Sequence, residues 1–264
     1  TSPDSGLNEE TAYCLGALLG DGNLTVDGLN VSLDSLKVAR EFEKKFEIAF
    51  KKKPRTKYYE KRSSYKTVLY DRKIKDKLVE LGVPQGKKTH SFEVPEKVAR
   101  AENKSVAAFL RGLFDCDGYA NEHSKSVLLT LANEKACSQV KTLLLRFGIQ
   151  SRLYRQEKDG KGKNGPYWSV IIYGADNLSK FKNEIGFIHP KKKAALNSLS
   201  KAKPNTNKDV VPAGKAVAKT RKLLGLTQTE LARKALKAGT RSSVRAYECG
   251  VRNPSKKAFK KIVA

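Results

Sequence analysis

The sequence predicts an α+β fold made of two tandem, pseudo-symmetric repeats of order αββαββα, followed by a small all-α domain. Three observations carry this prediction. A motif recurs: Thr11-Ala-Tyr-Cys-Leu-Gly-Ala-Leu-Leu-Gly-Asp-Gly22 is matched by Ala107-Ala-Phe-Leu-Arg-Gly-Leu-Phe-Asp-Cys-Asp-Gly118, each a short apolar helix ending in Asp-Gly. The strand and helix patterns that follow each motif recur in the same order. Residues 201–264 differ in composition, with 17 Lys+Arg against three acids, whereas residues 1–200 hold 36 against 24.

The elements follow in order. After Gly22 come two strand-like pieces, about 23–26 and 29–34, joined at Asp27-Gly28, a dipeptide suited to tight hairpins. A helical pattern covers about 35–49, two strands about 53–61 and 64–70, and a helix about 72–81. The second copy has strands at about 119–122 and 126–132, a helix at 133–147, strands at 150–157 and 167–173, and a helix at 175–186. The copies close alike, with Leu81-Gly-Val-Pro-Gln-Gly-Lys-Lys88 and Ile185-Gly-Phe-Ile-His-Pro-Lys-Lys192. Asp21 and Asp117 are 96 residues apart, and Lys88 and Lys192 are 104 apart. The eight extra residues are assigned to the loop 159–165. The expected domains are therefore 8–103, 104–200, a linker at 201–212, and 213–264. In the last, Thr227 and Glu230 form a capping box at a helix start, and a further helix covers about 241–248.

The chain has 264 residues, 53 Lys+Arg, 27 Asp+Glu and a formal net charge of +26. Such a balance calls for a polyanionic partner, with nucleic acid the leading candidate. With 39% hydrophobic residues the chain buries a real core, which argues against wholesale disorder. No apolar run approaches the ~18 residues of a spanning helix. No signal peptide opens the sequence, and the bases are spread along it, so no membrane partner is expected. Cys14, Cys116, Cys137 and Cys249 form no C-x-x-C pair and have no histidine at ligand spacing, which argues against zinc and for reduced thiols in a cytoplasmic protein. Methionine is absent, even at position 1, so the chain is expected to be trimmed, processed or cut from something larger.

The repeated acids are the chemical signal. Asp-Gly after a helix is common punctuation, because glycine accepts the left-handed conformation there. Yet an acid at a helix C-terminus meets the negative end of the helix dipole. Two copies of that placement call for a compensating positive group, and a divalent cation supplies one. Gly16 and Gly20, spaced i, i+4, and Gly112 and Cys116 at the same spacing give small-residue faces on which two backbones approach closely. Helices packed that way bring Asp21 and Asp117 side by side, where oxygen ligands suit Mg²⁺ and metal-assisted attack on phosphodiesters. Gly20 and Cys116, each preceding an acid, complete the candidate metal-binding set. Lys88 and Lys192 are candidates to polarise the attacking water or to stabilise charge on the phosphate.

These paired motifs resemble the signature of LAGLIDADG homing endonucleases of the two-repeat, monomeric kind. Residues 110–118 match the nine-residue pattern closely; residues 14–22 match more loosely, with Leu19 in place of the pattern's first acid. The resemblance covers about residues 8–200 and maps the family's catalytic acids onto Asp21 and Asp117. The segments holding Lys88 and Lys192, with Lys87, Lys191 and Lys193 beside them, resemble those that carry its active-site lysines. The implied fold is a DNA-binding saddle of antiparallel sheets over the major groove. In 53–61, Lys53, Arg55, Lys57, Tyr59 and Lys61 alternate onto one strand face, as a DNA-facing surface would. Arg152, Tyr154, Lys158, Lys161, Lys163 and Trp168 supply a similar set in the second copy.

Residues 213–264 resemble the helix-turn-helix of Cro/repressor-like (XRE) DNA-binding domains, most specifically in Tyr247-Glu-Cys-Gly-Val-Arg-Asn-Pro-Ser255. The resemblance implies that Thr240, Arg241, Ser242, Ser243 and Arg245 enter the major groove. Together the resemblances imply a monomeric, site-specific double-strand DNA endonuclease with a long, partly asymmetric target, leaving short 3′ overhangs. They imply Mg²⁺ as cofactor, Mn²⁺ as a substitute, and Ca²⁺ as an ion that binds without supporting cleavage. The alternatives are a catalytically inactive, WhiA-like transcription regulator and an intron RNA maturase. With neither Cys nor Ser at position 1 and no closing His-Asn, self-splicing intein termini are not expected.

Overall fold

A computed structural model describes residues 6–86, 92–158, 164–201, 210–236 and 240–263. The chain divides into two compact units, Thr1–Ala202 and Lys203–Ala264.

The first unit is mixed α+β. Its first repeat runs α1 (Glu9–Asp21), β1 (Gly22–Leu24), β2 (Gly28–Leu33), α2 (Leu36–Phe50), β3 (Arg55–Tyr59), β4 (Ser64–Tyr70) and α3 (Arg72–Glu80). A one-turn helix α4 (Glu96–Ala99) leads into the second repeat. That repeat runs α5 (Asn103–Asp117), β5 (Gly118–Asn121), β6 (Ser126–Leu131), α6 (Glu134–Leu145), β7 (Ser151–Lys158), β8 (Asn164–Tyr173), α7 (Ala175–Glu184) and α8 (Pro190–Lys201). Each repeat folds one four-stranded antiparallel sheet, in order β1-β2-β4-β3 and β5-β6-β8-β7.

Local chemistry sets these elements. Asn8 caps α1 by accepting from the Thr11 N–H at 2.9 Å, and Asp71 and Asn133 cap α3 and α6 in the same way. The Asp27-Gly28 hairpin closes with Thr25 N–H donating to the Gly28 carbonyl at 2.8 Å. In α2 the apolar side chains Val38, Ala39, Phe42 and Phe46 share one face and are buried. Helix α1 is buried from Ala12 through Leu19, as expected of a helix apolar on all sides.

Three expectations are revised. The strand expected over 53–61 is shorter, because residues 60–62 form a 3-10 turn that Ser63 ends in the left-handed region. Lys53 and Lys61 therefore lie outside the alternating strand. Helix α8 was not anticipated; Pro190 at its first position suits a helix start, and only Leu196 and Leu199 are buried in it. Finally, the glycines of the Asp-Gly pairs are not left-handed caps. Gly22 and Gly118 have φ −90° and −77° with extended ψ. They are glycine for want of space: a Cβ on Gly22 would lie 2.6 Å from Leu18 Cα, and one on Gly118 2.5 Å from the Phe114 carbonyl oxygen.

The second unit contains α9 (Gly214–Leu223), α10 (Gln228–Leu236), α11 (Arg241–Glu248) and α12 (Lys256–Val263). Its core is Val217, Leu231, Ala232, Val244, Tyr247 and Ile262. Both halves of the capping box form: Thr227 N–H donates to Glu230 Oε2 at 2.7 Å, and Glu230 N–H donates to Thr227 Oγ1 at 3.2 Å. Residues 202–209, within the expected linker, and residues 237–239 lie outside the described residues.

Candidate functional site

Helices α1 and α5 form the centre of the first unit. A Cβ on Gly16 would stand 2.0 Å from the Phe109 carbonyl oxygen, and one on Gly112 would stand 2.3 Å from that of Tyr13. Tyr13 and Phe109 hold equivalent places in the two motifs, so the two close contacts are reciprocal. One turn further, Gly20 and Cys116 meet; a Cβ on Gly20 would lie 2.5 Å from Cys116 Cβ and 3.2 Å from Asp117 Oδ2. Because Gly20 and Cys116 are equivalents, the pseudo-two-fold passes between them.

The motif acids come next along each helix. Asp21 is exposed and Asp117 half-buried. Burial, and then the negative charges of Asp21 and Asp117, push the Cys116 thiol well above its ordinary pKa. That thiol therefore stays protonated, and it points to the Ala17 carbonyl at 3.6 Å. The donors at this end are hard oxygens, two carboxylates and the carbonyls of Gly20 and Cys116, which fit a cation of the Mg²⁺ or Ca²⁺ type. Among the described residues no group of three or more His, Cys, Asp and Glu side chains gathers for a metal.

Lys192 joins this site through α8. Its Nζ donates to the carbonyls of Asp115 at 2.6 Å, Cys116 at 2.8 Å and Phe114 at 3.3 Å. It thus places a positive charge on the C-terminus of α5, just before Asp117. Part of the compensation that the sequence assigns to a metal ion is here supplied by an ammonium group. Lys191 and Lys193 are exposed, whereas Lys192 is half-buried. Lys87 and Lys88 lie outside the described residues.

Asp115 is missing from the sequence-based set, yet it holds this corner together. It is 1% exposed. Its Oδ1 accepts from the N–H groups of Ile188 at 2.8 Å and His189 at 3.0 Å, and its Oδ2 from the Tyr13 hydroxyl at 3.3 Å. Burial pushes its carboxyl up to about 6, against these hydrogen bonds and the Lys192 charge. The bonds fix the chain just before α8, which carries Lys192. His189, buried, is 3.0 Å from Asp34 Oδ1 in the first repeat, and burial holds its imidazole below the usual range. An acid two residues before the motif's Asp117, on a helix stretch otherwise rich in buried apolar residues, was the available signal for Asp115; its counterpart in the first motif is buried Leu19.

The outer faces of the sheets carry five of the eleven residues expected there, Arg55, Lys57, Tyr59, Arg152 and Tyr154. Arg55, Lys57 and Tyr59 are exposed on one face of β3, and Lys66 of β4 stands 5.8 Å over the Tyr59 ring on that face. Lys53 pairs with Glu47 at 3.5 Å, before the strand begins. Lys61 is exposed in the 3-10 turn. In the second sheet Arg152 and Tyr154 are exposed on the outer face, with Arg152 4.9 Å from the Tyr173 ring centroid. Trp168 does not join them. It lies on the opposite face, packed against the core, because strand alternation from Ile172 and Val170 carries it inward. Lys158 ends β7, its side chain outside what is described, and Lys161 and Lys163 lie outside the described residues.

In the second unit Arg241 begins α11, with Thr240 as its N-cap residue. Thr240, Arg241, Ser242 and Arg245 are exposed, and Ser243 is half-buried. The other side of α11 is anchored by Glu248, which accepts from Arg221 Nε at 2.5 Å and Nη2 at 3.1 Å and from Gln228 Nε2 at 2.8 Å. The Arg221 bonds first, with Gln228 helping against burial, hold the Glu248 carboxyl below its ordinary range. A depressed folded-state pKa means stability that is present above the unfolded value and lost as pH falls through the folded one. Protection factors of the amides in α9–α11 of the full chain, with the intrinsic pH dependence of exchange removed, are therefore expected to fall on acidification below about pH 4.3. Glu248→Gln should remove most of that dependence and speed exchange at neutral pH.

These arrangements define a class, a two-repeat α+β unit built on a close helix pair and followed by a four-helix module. Residues 104–186 match the model of the LAGLIDADG-like domain family, and residues 217–264 match that of the helix-turn-helix family. The chain carries a LAGLIDADG-like domain and a C-terminal helix-turn-helix. It is similar to the replication factor C small subunit of Methanocaldococcus jannaschii, 29% identical over 214 residues. It is also similar to a probable translation initiation factor IF-2 of that organism, 32% identical over 180 residues. The matches take in 80% and 68% of this chain but span only 11% and 15% of the length of those relatives. Among solved structures, the homing endonuclease I-DmoI in complex with DNA and Ca shares the fold, with TM-score 0.51 and 16% identity over 72% of this chain and 97% of that one. Full-length DUF199/WhiA from Thermatoga maritima aligns with TM-score 0.48 and 14% identity over 97% of this chain and 91% of that one. No helix among the described residues is long and apolar enough to cross a membrane.

Proposed function

We propose that this chain is a site-specific double-strand DNA endonuclease that acts as a monomer with Mg²⁺. The observation that carries the reading is the meeting of Gly20 and Cys116, which puts the two motif acids at the same end of the close-packed helix pair. The carboxylates of Asp21 and Asp117, with the carbonyls of Gly20 and Cys116, would hold the ion. A bound divalent cation supplies Lewis acidity at the scissile phosphate and lowers the pKa of water. The chain's own residues do the rest. Asp21 and Asp117 orient toward the two strands from opposite sides of the pseudo-two-fold. Lys192, anchored on the α5 carbonyls, sets positive charge beside one of them, and Lys88 is its counterpart by position in the repeat. The outer sheet faces hold the duplex, and α11 adds a second footprint with Arg241 and Arg245. Short 3′ overhangs, a long and partly asymmetric target, replacement of Mg²⁺ by Mn²⁺, and Ca²⁺ binding without cleavage belong to the same reading.

The pattern of relatives supports a mobile module. A replication factor subunit and a translation initiation factor bear different names, yet each contains a stretch similar to this chain within a much longer sequence. An endonuclease that spreads by cutting uninterrupted copies of its host gene accounts for that distribution.

The test is cleavage of duplexes carrying the uninterrupted insertion sites, with Mg²⁺. Asp21→Asn together with Asp117→Asn is expected to abolish double-strand cleavage by more than a hundredfold while leaving binding in place. Each single variant should chiefly nick. Undiminished cleavage by the double variant would overturn the reading. Specific binding without cleavage by the unmodified chain would instead support a WhiA-like regulator, and binding to intron RNA alone a maturase.

A further inference from the structure

The two outer sheet faces are built to one register but not from one chemistry. In the first sheet, Asn23 pairs with Asn30, Asn30 with Val68, and Val68 with Arg55. These four residues form one row across the strands. In the second sheet the row at the same register is Tyr119, Leu128, Ile171 and Arg152. The row ends in arginine in both halves, but two amides have become a tyrosine and a leucine. The next row runs Ser32, Lys66 and Lys57 in the first sheet and Thr130, Ser169 and Tyr154 in the second. Two cations have become a serine and a tyrosine.

These positions alternate along the strands with the core side chains; Ser169 is itself buried, whereas the others are open or partly so. Val127, Leu129, Val170 and Ile172 alternate with them and are fully buried. Tyr119 and Tyr154 are 57% and 58% exposed, and Leu128 and Ile171 are partly so. The described outer face of the first sheet thus carries Arg55, Lys57 and Lys66 around Val68, Tyr59 and Tyr70, whereas among the described side chains that of the second carries one cation, Arg152, beside Tyr119, Leu128, Ile171 and Tyr154. Ser169 and Thr130 bond to each other at 2.7 Å, which leaves them less able to read a base edge.

Amides and cations recognise purines by hydrogen bonds, Asn on adenine and Arg or Lys on guanine. Apolar side chains in the major groove recognise the C5-methyl of thymine. Resting on the DNA-binding reading above, we infer that the second repeat reads its half of the target through thymine methyls. Leu128, which replaces Asn30, is the specificity-determining contact; Ile171, which holds the place of Val68, extends it, with Tyr119 and Tyr154 flanking them. The first repeat reads its half through Asn23, Asn30, Lys66 and Arg55. The two half-sites are accordingly different in kind, and the one under the second repeat depends more on thymine methyl groups.

Replacement of thymine by deoxyuridine removes that methyl and nothing else. Duplexes bound by the full chain are selected from a randomised library in Ca²⁺, and thymines are then replaced by deoxyuridine in one half of the selected site at a time. Affinity is expected to fall about fourfold per contacted methyl in one half, and to change little in the other. Leu128→Ala with Ile171→Ala should abolish that dependence. Lys66→Ala should leave it intact while weakening the opposite half. Equal deoxyuridine sensitivity in both halves, or sensitivity that survives the Leu128 and Ile171 changes, overturns this inference and leaves the endonuclease reading standing. A library that yields no bound duplex overturns both.

Discussion

Gly16→Ala is expected to destabilise the first unit by about 3 kcal/mol, at the upper end of the cost of overpacking a well-filled interior. The added methyl would stand 2.0 Å from the Phe109 carbonyl oxygen, which is backbone and cannot swing aside. Helices α1 and α5 must separate. In a unit of this size that corresponds to a fall in Tm of roughly 6–12 °C. Gly112→Ala should behave in the same way, since its methyl would meet the Tyr13 carbonyl oxygen at 2.3 Å. The two costs should not add, because helices already parted by one substitution accommodate the other more easily. Denaturant unfolding of both single variants and the double variant checks this. A stability loss below about 0.5 kcal/mol for Gly16→Ala would mean that the close contact is not maintained in solution.

The second large effect is at Asp115. Asp115→Ala leaves the N–H groups of Ile188 and His189 and the Tyr13 hydroxyl without the acceptor they share. A buried polar group so orphaned costs about 1–3 kcal/mol. The expected loss is therefore about 4 kcal/mol or more, comparable to breaking a helix pair. Asp115→Asn retains one acceptor oxygen and should cost less than half as much. Under the endonuclease reading the milder variant has a further consequence. It loosens the chain before α8, so Lys192 is no longer held on the α5 carbonyls. Cleavage by Asp115→Asn should then fall at least tenfold with binding affinity unchanged. Comparison of unfolding curves with single-turnover cleavage separates a structural loss from a positional one.

Much of this was legible because it is written locally. The hairpin at Asp27-Gly28, the capping box at Thr227 and Glu230, and the small-residue faces at Gly16 and Gly112 each depend on residues within a few positions. Strand alternation placed Arg55, Lys57 and Tyr59 correctly on an exposed face, and the same rule turns Trp168 inward once the buried residues of β8 are known. What the sequence could not provide was the set of partners. Tyr13 meets Asp115 across 102 positions, His189 meets Asp34 across 155, and Lys192 meets the Asp115 carbonyl across 77. No periodicity records such pairings.

The amino-acid sequence by itself determined that there are two repeats and that an acid ends the first helix of each. It did so because hydrophobic period, turn chemistry and matched spacing act over short stretches of chain. Only the tertiary structure decided that Gly22 and Gly118 are glycine for lack of room, that Lys192 lies on the end of α5, and that the two sheets present unlike chemistry at one register. These depend on which groups come within a few ångströms of one another once each repeat has folded, and that follows from the path of the backbone in space.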